Sequence, residues 1–316
     1  MKAYFLGVDG GQSSTTALIG DSNGRVIGMG RGGPGNHVGA AEGRVKFVNA
    51  IETCLGAACK EAGLEVASVQ FVSACLGFSG GPADKQALLK QMIHSERMMV
   101  THDAFIALSG ATAGDPGVIA IAGTGSIAFG RNRGDTARAG GWGYLFGDEG
   151  GGFYVTRQAL RAALRFEEGW GPPTSLRPAL LDATGSRSMN ELLHRFYTTE
   201  FPRARVAAFA KLVDEAAEKG DAPAREVLEE AAQQLARLAS AVRQQLFEEE
   251  EAAQVSYVGG VFRSAILLER FRQLAEAAAG NQVTAPMYGP AAGALLEAYR
   301  AAGDRCQLSN VPEEKK

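Results

Sequence analysis

Glycine is concentrated in two short stretches of this chain, and that clustering limits the folds the chain can adopt. Residues 7–43 contain 12 glycines and residues 110–152 contain 14, so 26 of the 41 glycines lie in a quarter of the 316 residues. No G-X-Y period and no low-complexity tract accounts for them, which excludes collagen-like and linker sequences. Because glycine permits sharp turns and close approach, the sequence predicts two regions where the backbone turns tightly or lies against something else.

The first glycine-rich region predicts three strands joined by turns, and the second region begins the same order again. The strands are expected at residues 4–8, 14–19 and 25–29, and again at 118–122, 126–130 and 138–140. Helices are expected at 42–62, 84–94, from 104, and at 152–167, 189–197, 203–219, 222–247, 266–278 and 291–301, with further strands at 69–76, 98–101 and 255–258. Residues 169–185, which contain three prolines, are predicted to be a loop. This order predicts a duplicated α/β domain.

Charge and composition exclude several classes of protein. The net charge of −3 gives no electrostatic reason to expect binding to nucleic acid or to an anionic membrane. The four cysteines form no CxxC pair and no disulfide framework, which favours buried, reduced thiols. No apolar run approaches the roughly 20 residues of a membrane helix, and the first residues do not form a signal peptide. We therefore expect a soluble, cytoplasmic protein of two domains.

Three familiar nucleotide or nucleophile motifs fit this sequence poorly. No GK dipeptide occurs, which excludes a Walker A loop. Gly28, Gly30 and Gly33 match GxGxxG, but Pro34 and Gly35 follow them where a dinucleotide-binding fold needs a helix. Residues 77–81 match the GxSxG motif of serine hydrolases, yet the strand order does not fit that class, and a plain strand-to-helix turn is the preferred interpretation.

Two glycine turns at equivalent places in the two halves fit phosphate binding better. In the first, Gly10 and Gly11 allow backbone N–H groups to converge on an anion, and Ser13 and Ser14 add hydroxyl donors. Asp9, at the end of the strand, is a candidate to hold Mg²⁺ through water. Residues 123–126, Gly-Thr-Gly-Ser, repeat this chemistry in the second half. Either turn alone is also explained by an ordinary hairpin, but together they are candidates to hold a triphosphate.

Asp103 has two interpretations that the sequence leaves open. It follows a predicted strand and precedes an apolar helix, so its carboxylate is expected either to cap the helix or to act as a general base. The second role fits the carboxyl end of a strand, where open α/β sheets bind ligands, and the two roles can coexist only if the carboxylate keeps a lone pair free for the substrate.

The segment from Gly140 to Gly150 is predicted to bind a sugar ring or a base. Glycines on both sides of Trp142 leave room for a ring to approach the indole face, and Asp148 can accept hydrogen bonds from hydroxyl groups. The alternative is a buried tryptophan in a helix-entry loop, with Asp148 as the helix cap.

These segments together resemble the sugar-kinase branch of the actin-like ATPases, in particular the N-acetylglucosamine kinase and BadF/BadG group. The matching segments are GVDGGQSST, GPGNH, THDA, IAGTGS, GGWGYLFGDEGGG and VGGVFRS, in that order across about residues 4–300. The resemblance implies two RNase H-like lobes with ATP and sugar in the cleft between them. It assigns residues 1–113 and 288–304 to the first lobe, residues 114–287 to the second, and residues 305–316 to a tail.

The resemblance also assigns roles to individual residues. Asp103 corresponds to the catalytic base. The amino-sugar site is assigned to Asn36, Thr124, Gly141, Trp142 and Asp148. The ATP site is assigned to Gly10, Gly11, Gln12, Ser13, Ser14, Gly125, Ser126, Gly259, Gly260 and Ser264. Many relatives carry GGGTKT where this chain has GGQSST, so Gln12 and the missing lysine change the expected phosphate contacts.

The implied activity is transfer of a phosphoryl group from MgATP to the 6-hydroxyl of an amino sugar. N-acetylglucosamine is the first candidate, and glucosamine, N-acetylmuramic acid and glucose also fit. A second reading is an ATPase that activates a dehydratase or a reductase through an iron–sulfur cluster between subunits, for which Cys54, Cys59 and Cys75 are the possible ligands. A homodimer is expected from the family. We attribute the glycine excess to the close approach of backbone to ATP and sugar.

Overall fold

Five strands form a mixed sheet in the first part of the chain. In the computed structural model, which describes residues 3–35, 41–80 and 83–314, these strands are β1 (Tyr4–Gly10), β2 (Thr15–Asp21), β3 (Val26–Gly32), β4 (Phe71–Phe78) and β5 (Ser95–His102). Their order is β3-β2-β1-β4-β5, with β1, β2 and β3 antiparallel and β1, β4 and β5 parallel. The helices α1 (Ala41–Glu61), α2 (Gln86–Met92) and α3 (Asp103–Ala111) lie between or after these strands.

The second part of the chain repeats this topology. Its strands are β6 (Gly117–Ala122), β7 (Ser126–Asn132), β8 (Asp135–Gly140), β9 (Ala253–Val258) and β10 (Asn281–Thr284), in the order β10-β9-β6-β7-β8. Again the first three strands are antiparallel and the last two run parallel to the first. The predicted duplication is therefore confirmed.

Seven helices separate β8 from β10 in the part of the chain that the structure describes. They are α4 (Gly152–Glu167), α5 (Leu176–Thr184), α6 (Met189–Phe196), α7 (Arg203–Ala208), α8 (Ala210–Glu218), α9 (Ala222–Leu246) and α10 (Ala265–Glu276). The last helix of the chain, α11 (Pro290–Ala302), packs against β1 and α3. The chain accordingly divides into unit 1, Met1–Pro116 with Ala285–Lys316, and unit 2, Gly117–Thr284.

Three sequence predictions about these elements were wrong. Residues 169–185 are not a loop throughout, because α5 forms where Leu176 and Leu180 bury one face and Gly185 ends the helix in the left-handed conformation. The single helix predicted at 203–219 is interrupted at Phe209. Strand β10 was not predicted, since it has four residues and only one of them, Val283, is a buried apolar side chain.

Glycines of β3 allow α1 to lie directly on the sheet. Gly28, Gly30 and Gly32 occupy every second position of the strand and so share one face. A Cβ at these glycines would overlap the backbone oxygens of Ala58, Cys54 and Ala50 respectively, which recur every fourth residue along α1. These glycines, which include part of the GxGxxG match, serve helix–sheet packing, so the attribution of the clustered glycines to ATP and sugar was wrong for β3.

Helix α11 is enclosed in the core of unit 1. Every residue from Pro290 to Tyr299 is buried, and a Cβ on Gly7 of β1 would overlap the backbone of Leu295. Gly293 lies equally close to the backbone of α3. Polar groups on this helix are paired, since Ser109 donates to Glu297 at 2.6 Å and the Tyr299 hydroxyl donates to the carbonyl oxygen of Asp21. The first sheet therefore depends on the end of the chain for one of its covering layers.

Candidate active site

The turn between β1 and β2 presents polar groups at its exposed end. The Gly11 N–H donates to the carbonyl oxygen of Ser14 at 2.9 Å, while the side chains of Gln12, Ser13 and Ser14 are exposed. Gly10 has a packing role, because a Cβ there would overlap the ring of Phe78. The turn therefore offers accessible side-chain donors, the two hydroxyls and the amide, of the kind that bind an anion.

Asp9 and the turn lie at the edge where the parallel strands of unit 1 end. Asp9 is half-buried and is in register with Gly77 of β4, which is in register with Thr101 of β5. The next row contains Gly10, Phe78 and His102. This is the carboxyl edge of the parallel strands, where ligands of open α/β sheets bind. Asn36, the sugar-site residue predicted nearby, lies outside the described residues.

Asp103 is the first residue of α3 and does not cap it. The N-cap is His102, whose Nδ1 accepts from the N–H of Phe105 at 3.2 Å. The Asp103 carboxylate is instead held through both oxygens: Oδ1 accepts from the N–H of Ala104 at 2.9 Å, and Oδ2 accepts from the hydroxyl of Ser79 at 2.6 Å. The Ser79 N–H in turn donates to the carbonyl oxygen of Gly10 at 3.1 Å. The structure thus brings Asp103 and the first glycine turn together through Ser79.

The second glycine turn is joined to the start of α4. The N–H groups of Gly152 and Phe153 donate to the carbonyl oxygens of Gly123 and Thr124, at 2.8 and 3.1 Å. The Ser126 hydroxyl, predicted to be a phosphate donor, is buried and donates to the carbonyl oxygen of Glu149 at 2.6 Å. The Ser126 hydroxyl therefore helps to hold the loop before α4, which contains Glu149.

A cavity of about 510 Å³ lies in unit 2 beside the second turn. Thr124, Gly260 and Ser264 line it, so the structure brings the turn and the predicted adenosine segment together. Ser264 also caps α10, and its hydroxyl accepts from the N–H of Leu267 at 3.3 Å. Gly259 has a φ of 115°, and a Cβ there would overlap the backbone oxygen of Ala122. The rest of the lining includes residues that sequence reasoning missed, namely Ala204, Ala207, Ala208, Lys211 and Asp214.

The loop after β8 exposes its tryptophan. Trp142 is 65% exposed, and the Arg138 guanidinium carbon lies 4.9 Å from its ring centroid. Gly141, in the left-handed region with a φ of 74°, donates its N–H to the carbonyl oxygen of Ser126 at 2.9 Å. The alternative of a buried tryptophan is therefore wrong, and one indole face is occupied by a cation.

Arg203 is a residue of this region that the sequence did not indicate. Asp148, which is only 4% exposed, forms an ion pair with it, and Gly125 of the second turn lies against both side chains. The guanidinium carbon also lies 5.4 Å from the ring centroid of Tyr144. Asp148 does not cap α4, since Gly151 is the N-cap. The pair joins the predicted sugar loop to α7, whose later residues line the cavity.

The cysteines predicted as possible cluster ligands are enclosed in unit 1. Cys54 and Cys59 belong to α1 and lie on one side of the sheet, and Cys75 of β4 packs with α11 on the other side. Burial raises the pKa of the Cys54 thiol to about 12, and it also raises the pKa of Cys75. Within the described residues, no three His, Cys, Asp or Glu side chains are grouped to hold a metal ion, and no helix is both long and apolar enough to cross a membrane.

Two similar mixed sheets, each with a glycine turn after its first strand, define an α/β protein with the duplicated fold of the actin-like ATPase class. The sequence profile of the BadF/BadG/BcrA/BcrD ATPase family matches residues 6–298. The chain belongs to the BadF/BadG/BcrA/BcrD ATPase family.

Named sugar kinases are among the proteins that this chain is similar to. The N-acetylmuramic acid/N-acetylglucosamine kinase of Clostridium acetobutylicum is 31% identical over 277 residues, which are 85% of this chain and 89% of that protein. The N-acetyl-D-glucosamine kinase of Dictyostelium discoideum is 32% identical over 279 residues, 82% of this chain and 85% of that protein. A solved structure from Chromobacterium violaceum, provisionally named an N-acetylglucosamine kinase, is 29% identical with a TM-score of 0.73, covering 93% of this chain and 98% of that one.

Proposed function

We propose that this protein is an ATP-dependent kinase that phosphorylates the 6-hydroxyl of an amino sugar, with N-acetylglucosamine as the first candidate. The observation that carries the proposal is Asp103, a carboxylate relieved of helix capping and held beside the first glycine turn. The names of the two curated relatives, each matched over more than four-fifths of its length, support the same substrate class. We further propose a homodimer in the cytoplasm.

Unit 1 supplies the base in this proposal. Asp103 accepts the proton of the sugar hydroxyl as the oxygen of that hydroxyl forms a bond to the γ-phosphorus of ATP and the bond to the β-phosphate oxygen breaks. Gln12, Ser13 and Ser14 present donors toward the phosphates from the exposed turn. Because phosphoryl transfer requires little covalent help from a protein, alignment and charge stabilisation provide most of the acceleration.

Unit 2 supplies the nucleotide pocket. The cavity beside Thr124, Gly260 and Ser264 has a volume suited to a small molecule and a largely apolar wall of alanines. Lys211 and Arg263 outnumber the one carboxylate of the lining, Asp214, so the lining carries a net positive charge, which favours an anionic ligand.

The residues present fit a magnesium ion held mainly by water and phosphate. Asp9 offers one carboxylate at the carboxyl edge of β1, and Mg²⁺ commonly binds through one or two carboxylates while keeping several waters. When bound, the ion neutralises charge on the phosphate oxygens.

We assign the amino sugar to Asn36, Thr124, Gly141, Trp142 and Asp148. The exposed indole of Trp142 offers an apolar face to a sugar ring, and the space beside the neighbouring Gly143 is open, since a Cβ there would meet nothing within 4 Å. Asp148 is buried in its ion pair with Arg203, so the orientation of its carboxylate is fixed before a sugar binds.

The alternative activity, an ATPase that activates a dehydratase through an iron–sulfur cluster between subunits, requires thiolates at a subunit surface. Cys54, Cys59 and Cys75 are buried on two sides of one sheet, and burial raises the pKa of each thiol. Their positions favour a structural role.

A panel of four sugars tests the proposed function. We expect sugar-dependent ADP release with N-acetylglucosamine, glucosamine, N-acetylmuramic acid or glucose, measured by a coupled assay, and only slow ATP hydrolysis without sugar, because water is a poor substitute for a positioned hydroxyl. Apolar pockets discriminate single groups by about 1–3 kcal/mol, so more than one of the four should be turned over. Sugar-independent ATP hydrolysis at the same rate as with every sugar would contradict a kinase.

Narrowing the cavity should weaken nucleotide binding selectively. Ala208 is exposed at the cavity wall, so Ala208→Phe should leave the fold intact while raising the KM for ATP by about tenfold or more. Steady-state kinetics with varied ATP, together with sugar binding by calorimetry, measure the effect. Ala183→Phe, at an exposed position of α5 outside the cavity, is the matched control and should match the unsubstituted protein. An unchanged KM for ATP in Ala208→Phe would place the nucleotide elsewhere.

A further inference from the structure

The Ser79 side chain is hydrogen-bonded to the proposed base. Its hydroxyl donates to Asp103 Oδ2 at 2.6 Å, within the range of a hydrogen bond to an ionised carboxylate. We propose that Ser79 is a positioning residue that fixes the carboxylate of Asp103 for proton transfer, a proposal that rests on the proposed function.

A carboxylate held through one oxygen keeps rotational freedom. The terminal torsion of an aspartate is broad, so the bond from Ala104 N–H to Oδ1 does not by itself fix the plane of the carboxylate. The Ser79 hydroxyl holds the other oxygen, Oδ2, and so fixes that plane. An ionised carboxylate has about four lone-pair directions, so two remain for the substrate hydroxyl. Asp103 can thus accept a proton while both of its existing hydrogen bonds persist.

Ser79 also links the base to the first glycine turn. It follows β4, and its N–H donates to the carbonyl oxygen of Gly10 at 3.1 Å, the last residue of β1. Its backbone therefore holds the end of β1, and its hydroxyl sets the carboxylate at the end of β5. One residue in this way fixes the base relative to the turn assigned to phosphate.

The contacts of Ser79 do not fit a nucleophile. A serine in a GxSxG turn is activated by an imidazole, which removes the hydroxyl proton. Here the hydroxyl donates directly to a carboxylate, and Nδ1 of the adjacent His102 is engaged in capping α3. The geometry suits a hydroxyl that orients a base.

Three substitutions of Ser79 test the proposal in the full-length protein. Ser79→Ala should lower kcat by about 10- to 100-fold, while the sugar Kd and the KM for ATP stay within about twofold, because a small misplacement of a reacting group affects mainly the chemical step. Ser79→Cys, close in size but a weak donor, should lose at least about tenfold. Ser79→Thr keeps the hydroxyl and should regain most of the activity. Ser68→Ala, at an exposed position, is the control and should leave kcat unchanged.

A double-mutant cycle separates positioning from a general structural effect. If Ser79 acts through Asp103, adding Ser79→Ala to Asp103→Asn should cause little further loss of kcat. Equal fold losses in both backgrounds would overturn the proposal, and so would a Ser79→Ala or Ser79→Cys protein as active as the parent. These comparisons require that the unsubstituted protein is active. If it phosphorylates none of the four sugars, that result contradicts the proposed function and not the role of Ser79.

Discussion

Replacing Asp103 with asparagine should lower kcat by about 10²–10⁴-fold, the usual contribution of a positioned general base. Asparagine has the same shape, and its carbonyl oxygen can still accept one of the two hydrogen bonds that hold Asp103. It cannot accept the proton of the sugar hydroxyl. Since His102 caps α3, removing the charge of Asp103 leaves the cap in place, and we expect the thermal unfolding curve to change little.

The measurement is steady-state kinetics at saturating ATP and sugar, combined with circular dichroism of each variant. Asp115→Asn is the matched control, since Asp115 is an exposed aspartate of unit 1 outside the turn and strand ends, and its variant should retain full activity. A folded Asp103→Asn protein with normal kcat would show that another group accepts the proton.

The largest expected effect on stability comes from Gly30→Ala. A methyl group at this position would overlap the backbone oxygen of Cys54, and a helix backbone cannot yield as a flexible side chain does. The added atom must push α1 away from β3 or distort the strand, so the free energy of unfolding should fall by about 3 kcal/mol or more, at the upper end for an overpacked core.

Gly33→Ala, three residues further along the chain, provides a matched comparison. A Cβ there meets nothing within 4 Å, and the same change should be neutral or slightly stabilising because alanine restricts the unfolded chain. Urea denaturation of both variants measures the difference. Equal stability of the two variants would show that α1 does not depend on the glycine face of β3.

Much of the fold could be predicted because its signals are local. The glycine turns mark the ends of the predicted strands, and α4 begins and ends at the residues that the sequence predicted. Helix α5 was missed because Pro178 and its neighbours suggested a loop, although a proline in the first turn of a helix is tolerated. Gly28, Gly30 and Gly32 could not be assigned to packing until α1 was seen to lie on them.

Some residues of the candidate site could be predicted from local sequence motifs, and others could be found only from the tertiary structure. The glycine turns and Asp103 follow predicted strands, so their place at strand ends could be inferred. Ser79 was visible in its GxSxG match, but its hydrogen-bond partner could not be inferred. That partner, Asp103, is 24 residues away, and only the pairing of β4 with β5 brings the two residues together. Arg203 and the alanines of the cavity carry no motif, because small side chains on an amphipathic helix are equally typical of core packing.

The enclosed position of α11 has a consequence for how the chain folds during synthesis. Unit 2 is one continuous segment, Gly117–Thr284, and all of its strands precede α11 in the sequence, so they are synthesised before it. The strands of unit 1 precede unit 2 in the sequence, yet the helix that covers Phe5, Leu18 and Cys75 is α11, which follows unit 2. The apolar face that contains Phe5, Leu18 and Cys75 therefore stays uncovered until α11 has been made, which leaves this sheet exposed to aggregation while unit 2 is being synthesised.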